Sequence, residues 1–308
     1  MGAVRTGRVT LITNMPAAVR PPRRTSGSPW ELLPVERGLS RTALSRTAEG
    51  HRSDMAATDT TELWVRRFHP SPDAAARLLC LPHAGGSASY FFPVSRAMAP
   101  RVEVLAVQYP GRQDRRHEPC LDSVQALADA LVDVVVPFAD KPLTLFGHSM
   151  GASLAYELAI RLEARGVVPA GLFVSGRRAP NAVRDERVHL SGDDGLIAEI
   201  KRLNGTESQL LDDDEVLRMV LPSIRADYKA AETYRPTPGQ SVSVPIRALV
   251  GDSDPKVTPE EAARWAEHTT GPFTLEVFPG GHFYLNAVVP QVIDRISRHI
   301  ENSLATAD

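Results

Sequence analysis

Short apolar runs alternate with stretches of helical periodicity over most of the chain, from about residue 61 onward. The apolar runs stop at glycine or proline, which is typical of buried strands. The predicted strands are RLLCLP (77–82), VEVLAVQYPG (102–111), PLTLFG (142–147), AGLFVSG (170–176), VPIRALVG (244–251) and FTLEVFPGG (273–281), with LWVRRF (63–68) as an exposed or edge strand. Apolar residues at helical spacing predict helices near 95–99 and at 122–137, 150–166, 258–269 and 290–303. Asp122 and Thr258 are the expected N-caps of two of these helices.

Strands that are continuously apolar and separated by helices predict a mostly parallel sheet covered on both faces, an α/β fold. One segment interrupts this order. Residues 183–235 contain two or three helical patterns with no strand between them. We therefore expect one α/β domain over 61–303, with a helical lid at about 183–235 and a short tail at 304–308.

Residues 1–60 differ in composition from the rest of the chain. Up to residue 54 there are nine arginines against four acidic residues, and no sustained apolar period. This predicts a disordered extension or a mis-assigned start with Met55 as the first residue. The alternative is an organellar transit peptide, which the segment resembles in composition. A secretory signal is not expected, because the segment lacks its apolar core.

Charge and cysteine content exclude several classes. Beyond residue 54, 33 acidic residues outnumber 26 basic ones, which argues against nucleic-acid binding. No apolar run is long enough to cross a bilayer, so no membrane association is expected. Two cysteines, Cys80 and Cys120, without a C-x-x-C motif, favour a reducing cytoplasm and argue against a cysteine metal site.

The pentapeptide Gly147-His148-Ser149-Met150-Gly151 matches G-x-S-x-G, between a predicted buried strand and a predicted helix. In a nucleophile elbow the serine occupies a strained turn, and the glycines are needed where a Cβ would strike its neighbours. Ser149 is therefore the predicted nucleophile. The alternative is a serine that only caps the helix.

A serine hydroxyl needs a base to take its proton, and the base needs an acid to orient it. His282 follows a strand and two glycines and is the predicted base, whereas His268 and His299 lie in helical patterns and are read as surface residues. The loop after 244–251 offers two acids, of which Asp254 is favoured and Asp252 is expected to hydrogen-bond within the turn. The order serine, aspartate, histidine is that of the α/β-hydrolases.

Acyl transfer also requires hydrogen-bond donors for the developing oxyanion. The backbone N–H of Met150, directly after the nucleophile, is one expected donor. The other is the N–H of Ala84, in the loop PHAGGSASYF (82–91), whose small residues let the backbone approach a substrate. The loop is not expected to bind phosphate, because it lacks the Gly/Lys/Thr spacing of a Walker motif.

The segments LPHAGGSASYF, QYPGR, LFGHSMGASLAYELA, GDSDPKV and GGHFYLN, in this order, closely resemble type II thioesterases. The resemblance covers about 63–303. It implies an α/β-hydrolase fold with a mobile lid, a triad of Ser149, Asp254 and His282, and oxyanion donors at Ala84 and Met150. It implies hydrolysis of acyl groups from the phosphopantetheine arm of acyl or peptidyl carrier proteins of polyketide and nonribosomal peptide synthases. The protein itself then needs no cofactor or metal, since the substrate carries the phosphopantetheine.

Two alternative functions remain, an esterase for small esters or lipids on the same fold and a non-catalytic binding module. Two groups of residues have open roles. Arg112, Arg115 and Arg116 form either a solvated basic loop or a contact for a carrier surface or phosphate. The lid residues Met219, Val220, Leu221 and Ile224 either line the substrate space or pack on the core.

Overall fold

The computed structural model describes residues 10–12, 60–204 and 214–306. Its centre is a sheet of eight strands in the order β1-β8-β7-β6-β5-β3-β4-β2. The strands are β1 (Thr10–Ile12), β2 (Val65–Arg66), β3 (Ala76–Leu81), β4 (Val102–Val107), β5 (Leu143–His148), β6 (Gly171–Ser175), β7 (Ile246–Gly251) and β8 (Phe273–Phe278). Every pairing is parallel except that of β2 with β4. The predicted α/β class is confirmed.

Helices cover both faces of the sheet. They are α1 (Phe92–Met98), α2 (Val124–Val135), α3 (Met150–Ala164), α4 (Asp193–Asn204), α5 (Asp214–Thr233), α6 (Pro259–Ala263) and α7 (Val289–Ala305). One buried apolar cluster joins the sheet to α2 and α3, and a second joins the opposite face to α1 and α7. The central strands therefore face apolar side chains on both sides, which explains why most of their residues are apolar.

The parallel register brings several loops to one edge of the sheet. Leu81 pairs with Gly147, His148 with Ser175, and Gly251 with Phe278, each at or near the last residue of its strand. The loops after β3, β5, β7 and β8 consequently start at the same carboxyl edge. These are the loops that carry the predicted site residues.

Local details differ from the sequence predictions. The predicted strand at 63–68 shortens to Val65–Arg66, after a helical turn at 60–64. The cap of α2 is Ser123, which accepts from the N–H of Ala126, not the predicted Asp122. Thr258 does cap α6, in a capping box with Glu261.

The predictions for the N-terminal extension, 1–60, lie largely outside the described residues. Within it the structure gives the backbone of Thr10–Ile12, which adds a parallel edge strand beside β8. Disorder or a mis-assigned start therefore stays a prediction for the rest of that segment.

The insertion at 183–235 is helical where it is described, with α4, α5 and a 3₁₀ turn at Val188–Leu190. It has a small apolar cluster of its own, built from both helices: Leu196, Leu217, Leu221, Ile224 and Tyr228. Lys256, in the loop after β7, forms ion pairs with Glu186 and Glu199 of the insertion. Across the described part of the chain, no helix is both long enough and apolar enough to span a membrane.

Candidate active site

Ser149 stands on the turn between β5 and α3, with φ 54° and ψ −118°. A positive φ is costly for a residue other than glycine, and such strain concentrates at functional sites. The turn is also tight. A Cβ on Gly147 would lie 2.0 Å from the carbonyl oxygen of Gly151, and one on Gly151 would lie 2.1 Å from that of Leu81. The two glycines of the motif thus permit the close approach that holds the half-buried serine at the sheet edge.

The structure brings Ser149, His282 and Asp254 together. Nε2 of His282 lies 2.9 Å from Oγ of Ser149, and Nδ1 lies 2.9 and 3.0 Å from the two carboxylate oxygens of Asp254. The Asp254 side chain is fully buried, and its Oδ1 also accepts from the backbone N–H of Lys256 at 2.8 Å. An ionised Asp254 would favour the tautomer with the proton on Nδ1, which leaves Nε2 to accept the serine proton.

Asp252 has a different position from the one expected. Its carboxylate accepts from the N–H of Gly280, in the loop that carries His282, and not from its own turn. The two loops pack backbone against backbone, since a Cβ on Gly251 would lie 2.3 Å from the carbonyl oxygen of Gly280. Asp252 therefore ties the acid loop to the histidine loop, while Asp254 contacts the imidazole.

The predicted oxyanion donors lie on two backbone segments in contact. Met150 is fully buried at the start of α3, and the carbonyls of Leu81 and Pro82 approach Gly151 next to it. Ala84 follows these carbonyls, in a turn closed by the N–H of Gly86 donating to the carbonyl of His83 at 2.9 Å. Neither the Met150 nor the Ala84 N–H has a hydrogen-bond acceptor among the residues that the structure describes. Both remain free to donate to a substrate oxygen.

Two further histidines contact His282 or its neighbours. His148, fully buried, lies with its ring 5.1 Å from that of His282, and its Nδ1 contacts Oγ of Ser175 at 2.9 Å. His83 packs edge-on against Phe283 at 4.8 Å. Burial, with the positive charge of His282, holds the pKa of His148 well below its ordinary value and lowers the pKa of His83 to about 3. Both imidazoles are therefore neutral, a property that the sequence did not reveal.

Two other histidines correct a prediction. His268 and His299, expected at the surface, are buried at 7% and 5% exposure. Nε2 of His299 contacts the carbonyl of Ala170, and Nδ1 accepts from Arg247. Helical periodicity placed these residues on helices but did not show which face is covered.

Two of the three arginines of the basic loop are placed differently from either expectation, whereas Arg116 is exposed. The Arg112 guanidinium is buried and makes two 2.7 Å hydrogen bonds to the carboxylate of Asp227 on α5. Arg115 is buried, pairs with Glu118 and stacks over the Trp64 ring. Arg112 and Arg115 are thus internal side chains, neither solvated nor open to a carrier surface.

The four lid residues divide into two pairs. Leu221 and Ile224 are buried in the lid cluster, and a Cβ on Gly85 would lie 3.1 Å from Cγ1 of Ile224. Met219 and Val220 are exposed, at 62% and 37%, and face away from the interior. No group of His, Cys, Asp or Glu side chains within the described ranges is arranged to hold a metal ion.

The fold and the site together define a class. A serine on a strained turn, a histidine and a carboxylate are linked by hydrogen bonds at the carboxyl edge of a mostly parallel sheet. This is the arrangement of the α/β-hydrolases. Within that class the chain belongs to the thioesterase family, since residues 76–300 match the thioesterase domain. It is an enzyme that acts on thioesters.

Several known proteins are similar to this chain. Thioesterase PikA5 of Streptomyces venezuelae is 55% identical over 240 residues, covering 77% of this chain and 85% of the relative. The probable cadicidin biosynthesis thioesterase of Streptomyces griseus is 49% identical over 259 residues, covering 83% of this chain and 71% of the relative. The solved type II thioesterase BorB from the borrelidin biosynthetic cluster shares 52% identity with a TM-score of 0.74, covering 77% of this chain and 97% of that chain. The predicted resemblance to type II thioesterases is confirmed.

Proposed function

We propose that this protein hydrolyses acyl groups from the phosphopantetheine arm of acyl or peptidyl carrier proteins, and so clears stalled polyketide or nonribosomal peptide synthases. The observation that carries the proposal is the hydrogen-bonded series Ser149, His282 and Asp254 in a chain of the thioesterase family. The similarity to thioesterases named for biosynthetic pathways supports the choice of substrate.

In the first half-reaction Oγ of Ser149 attacks the thioester carbonyl carbon while Nε2 of His282 takes the hydroxyl proton. The carbonyl oxygen becomes an oxyanion that accepts from the N–H groups of Met150 and Ala84. Each such donor contributes about 3–4 kcal/mol to transition-state stabilisation. The C–S bond then breaks, the pantetheine sulfur receives the proton from His282, and the acyl group remains as an ester on Ser149.

In the second half-reaction a water molecule loses a proton to Nε2 of His282 and attacks the ester carbonyl. A second oxyanion forms at the same two N–H groups and collapses to release the carboxylic acid, and His282 returns the proton to Ser149. Asp254 keeps the imidazole oriented and stabilises its protonated form in both steps. The protein supplies every acid, base and donor from its own side chains and backbone.

A location in the reducing cytoplasm, where synthases and their carrier domains are expected, fits this proposal. Cys80 and Cys120 are free thiols, and Cys80 is buried within β3. Cys80 and Cys120 do not form a disulfide with each other, which is consistent with a reducing compartment.

The test compares one acyl group on three carriers, namely a phosphopantetheinylated carrier protein, N-acetylcysteamine and p-nitrophenol. We expect the highest kcat/KM for the carrier protein, and a loss on the order of 10⁶ in kcat for Ser149→Ala. Ser153→Ala, one turn further along α3, is the matched control and should retain activity. A preference for the nitrophenyl ester would favour the small-ester alternative, and no labelling of Ser149 by a fluorophosphonate would favour a non-catalytic module.

A further inference from the structure

We propose that Asp227 and Arg112 are positioning residues for the oxyanion hole, so that the lid helix α5 holds the loop that supplies one of its donors. The inference rests on the proposed function, because it assigns Ala84 as a donor in that reaction. Asp227 and Arg112 touch neither Ser149 nor His282 in the structure. They act through the backbone of the loop at 82–86.

The Asp227 carboxylate is fully buried and accepts three hydrogen bonds. Two come from Nη1 and Nη2 of Arg112 at 2.7 Å, and the third comes from the backbone N–H of Gly85, also at 2.7 Å. Gly85 directly follows Ala84. A side chain of the lid therefore binds the main chain at the residue next to the proposed donor.

Arg112 holds the next peptide of the same loop. Its Nη1 donates to the carbonyl of Gly86 at 3.0 Å, and its guanidinium lies over the Tyr109 ring at 5.0 Å. The hydroxyl of Tyr109 in turn donates to the carbonyl of Pro82 at 3.1 Å. Three side chains thus fix the loop backbone at Pro82, Gly85 and Gly86, on both sides of Ala84.

These contacts control the direction of the Ala84 N–H. That N–H and the carbonyl of His83 belong to one planar peptide unit and point in opposite directions. The His83 carbonyl accepts from the N–H of Gly86, so this plane is set by the position of Gly86. Because Asp227 and Arg112 hold Gly85 and Gly86, they also hold the plane that aims the donor.

The lid carries Asp227, and Ile224 one turn earlier on the same helix packs against Gly85. If α5 moves away, Gly85 loses its acceptor and Arg112 loses its counter-ion. A buried charge left without a partner is strongly unfavourable, so this contact favours the seated lid. Formation of a competent oxyanion hole is thereby coupled to the position of α5.

Asp227→Asn tests the coupling with little change of volume. The matched control is Lys229→Ala, which removes an exposed ion pair to Asp122 from the same helix. Two ligands separate positioning from general binding. An acyl-pantetheine trifluoromethyl ketone forms a tetrahedral oxyanion on Ser149, and the corresponding acyl-pantetheine amide binds without forming one.

For Asp227→Asn we expect kcat to fall by about 10- to 100-fold, since a misaligned donor loses part of the 10²- to 10³-fold effect of a deleted one. KM and the Kd of the amide should change less than about twofold, whereas the Kd of the ketone should rise by the same factor as kcat falls. Lys229→Ala should match the wild type. The double variant Arg112→Gln/Asp227→Asn leaves no unpaired buried charge and is expected to fold. It should show the same contrast, with kcat and the Kd of the ketone changed and KM and the Kd of the amide nearly unchanged.

Equal weakening of the ketone and the amide, or unchanged kcat in folded protein, would show that the pair is only structural and would overturn the inference. Failure of the proposed function looks different. In that case the wild type itself would prefer the nitrophenyl ester to the carrier-protein thioester, or would not form the ketone adduct, whatever the behaviour of Asp227→Asn.

Discussion

Gly147→Ala is expected to destabilise the protein strongly, because the new Cβ meets backbone that has no room to move. It would lie 2.0 Å from the carbonyl oxygen and 2.3 Å from the carbonyl carbon of Gly151, and 2.5 Å from the nitrogen of Ala152. An ordinary contact is about 3.5 Å or more, so β5 and α3 would have to separate by over about 1 Å. Overpacking that side chains can absorb costs about 1–3 kcal/mol. With fixed backbone on both sides we expect about 3 kcal/mol or more.

The assay is thermal unfolding followed by circular dichroism, together with thioester hydrolysis. For a domain of this size 3 kcal/mol lowers Tm by about 6–12 °C. Hydrolysis should fall further than stability alone explains, because the displaced turn carries Ser149. The prediction therefore concerns both the fold and the site.

Two other glycines serve as controls. A Cβ on Gly192 meets nothing within 4 Å and its φ is not in the positive range, but Gly192 is the N-cap of α4, where alanine is less favourable than glycine, so Gly192→Ala should cost at most about 1 kcal/mol. A Cβ on Gly166 also has open space, but its φ is +77°, so Gly166→Ala should show the backbone cost alone, about 1–2 kcal/mol. The steric reasoning is refuted if Gly147→Ala is as stable and as active as Gly192→Ala.

Three further predictions concern the acid, the lid and the response to pH. Asp254→Asn should reduce kcat by about 10⁴-fold, as in other triad enzymes, while Asp252→Asn costs far less, and steady-state kinetics that give the opposite ranking would reassign the acid. Amide hydrogens of α4 and α5 should exchange faster than those of α3 and slow when an acyl-pantetheine mimic occupies Ser149, whereas equal protection without the mimic would indicate a rigid wall. Burial, then the charge of Arg247, lowers the pKa of His299 from 6.5 to about 4. As the pH falls, His299 therefore takes up a proton at a higher pH in the unfolded chain than in the folded protein. The stability that neutral His299 contributes is present above about pH 6.5 and is lost as the pH falls toward 4. In urea unfolding, the free energy of unfolding should fall between pH 7 and pH 4 by about 2–3 kcal/mol less for His299→Gln than for the wild type. The same pH dependence of that free energy in both proteins would contradict this.

The parts of the molecule that were predictable are those with a local cause. A parallel strand that is covered on both faces is mostly apolar on both, so the runs at 77–82 and 142–147 could be recognised as buried strands. The two glycines around Ser149 were recognisable because a Cβ at either position would strike neighbouring backbone, a requirement that appears within five residues of sequence. The proximity of Asp254 and His282 was predictable because loops after parallel strands meet at one edge, which is a consequence of topology.

The parts that were missed depend on contacts between distant segments. Arg112 and Asp227 lie 115 residues apart, and nothing near either residue indicates the other. A helix pattern also leaves open which polar residue is covered, and for that reason His299 was placed on the surface although α7 buries it. Met219 and Leu221 show the same limit, since only the packing of α5 decides which of them points inward.

The neutral state of His83 and His148 has a consequence for the transfer of the Ser149 proton during the reaction. The proposed reaction takes one proton from Ser149 and must deliver it to the departing sulfur, with three imidazoles close enough to compete for it. Burial lowers the pKa of both neighbours, and a charge on His282 lowers it further, so a proton on His282 disfavours protonation of His83 and His148. The imidazole that contacts both Ser149 and Asp254 is therefore the one placed to take the serine proton. Neither neighbouring imidazole competes well for that proton, which the proposed reaction returns to the sulfur or to the serine.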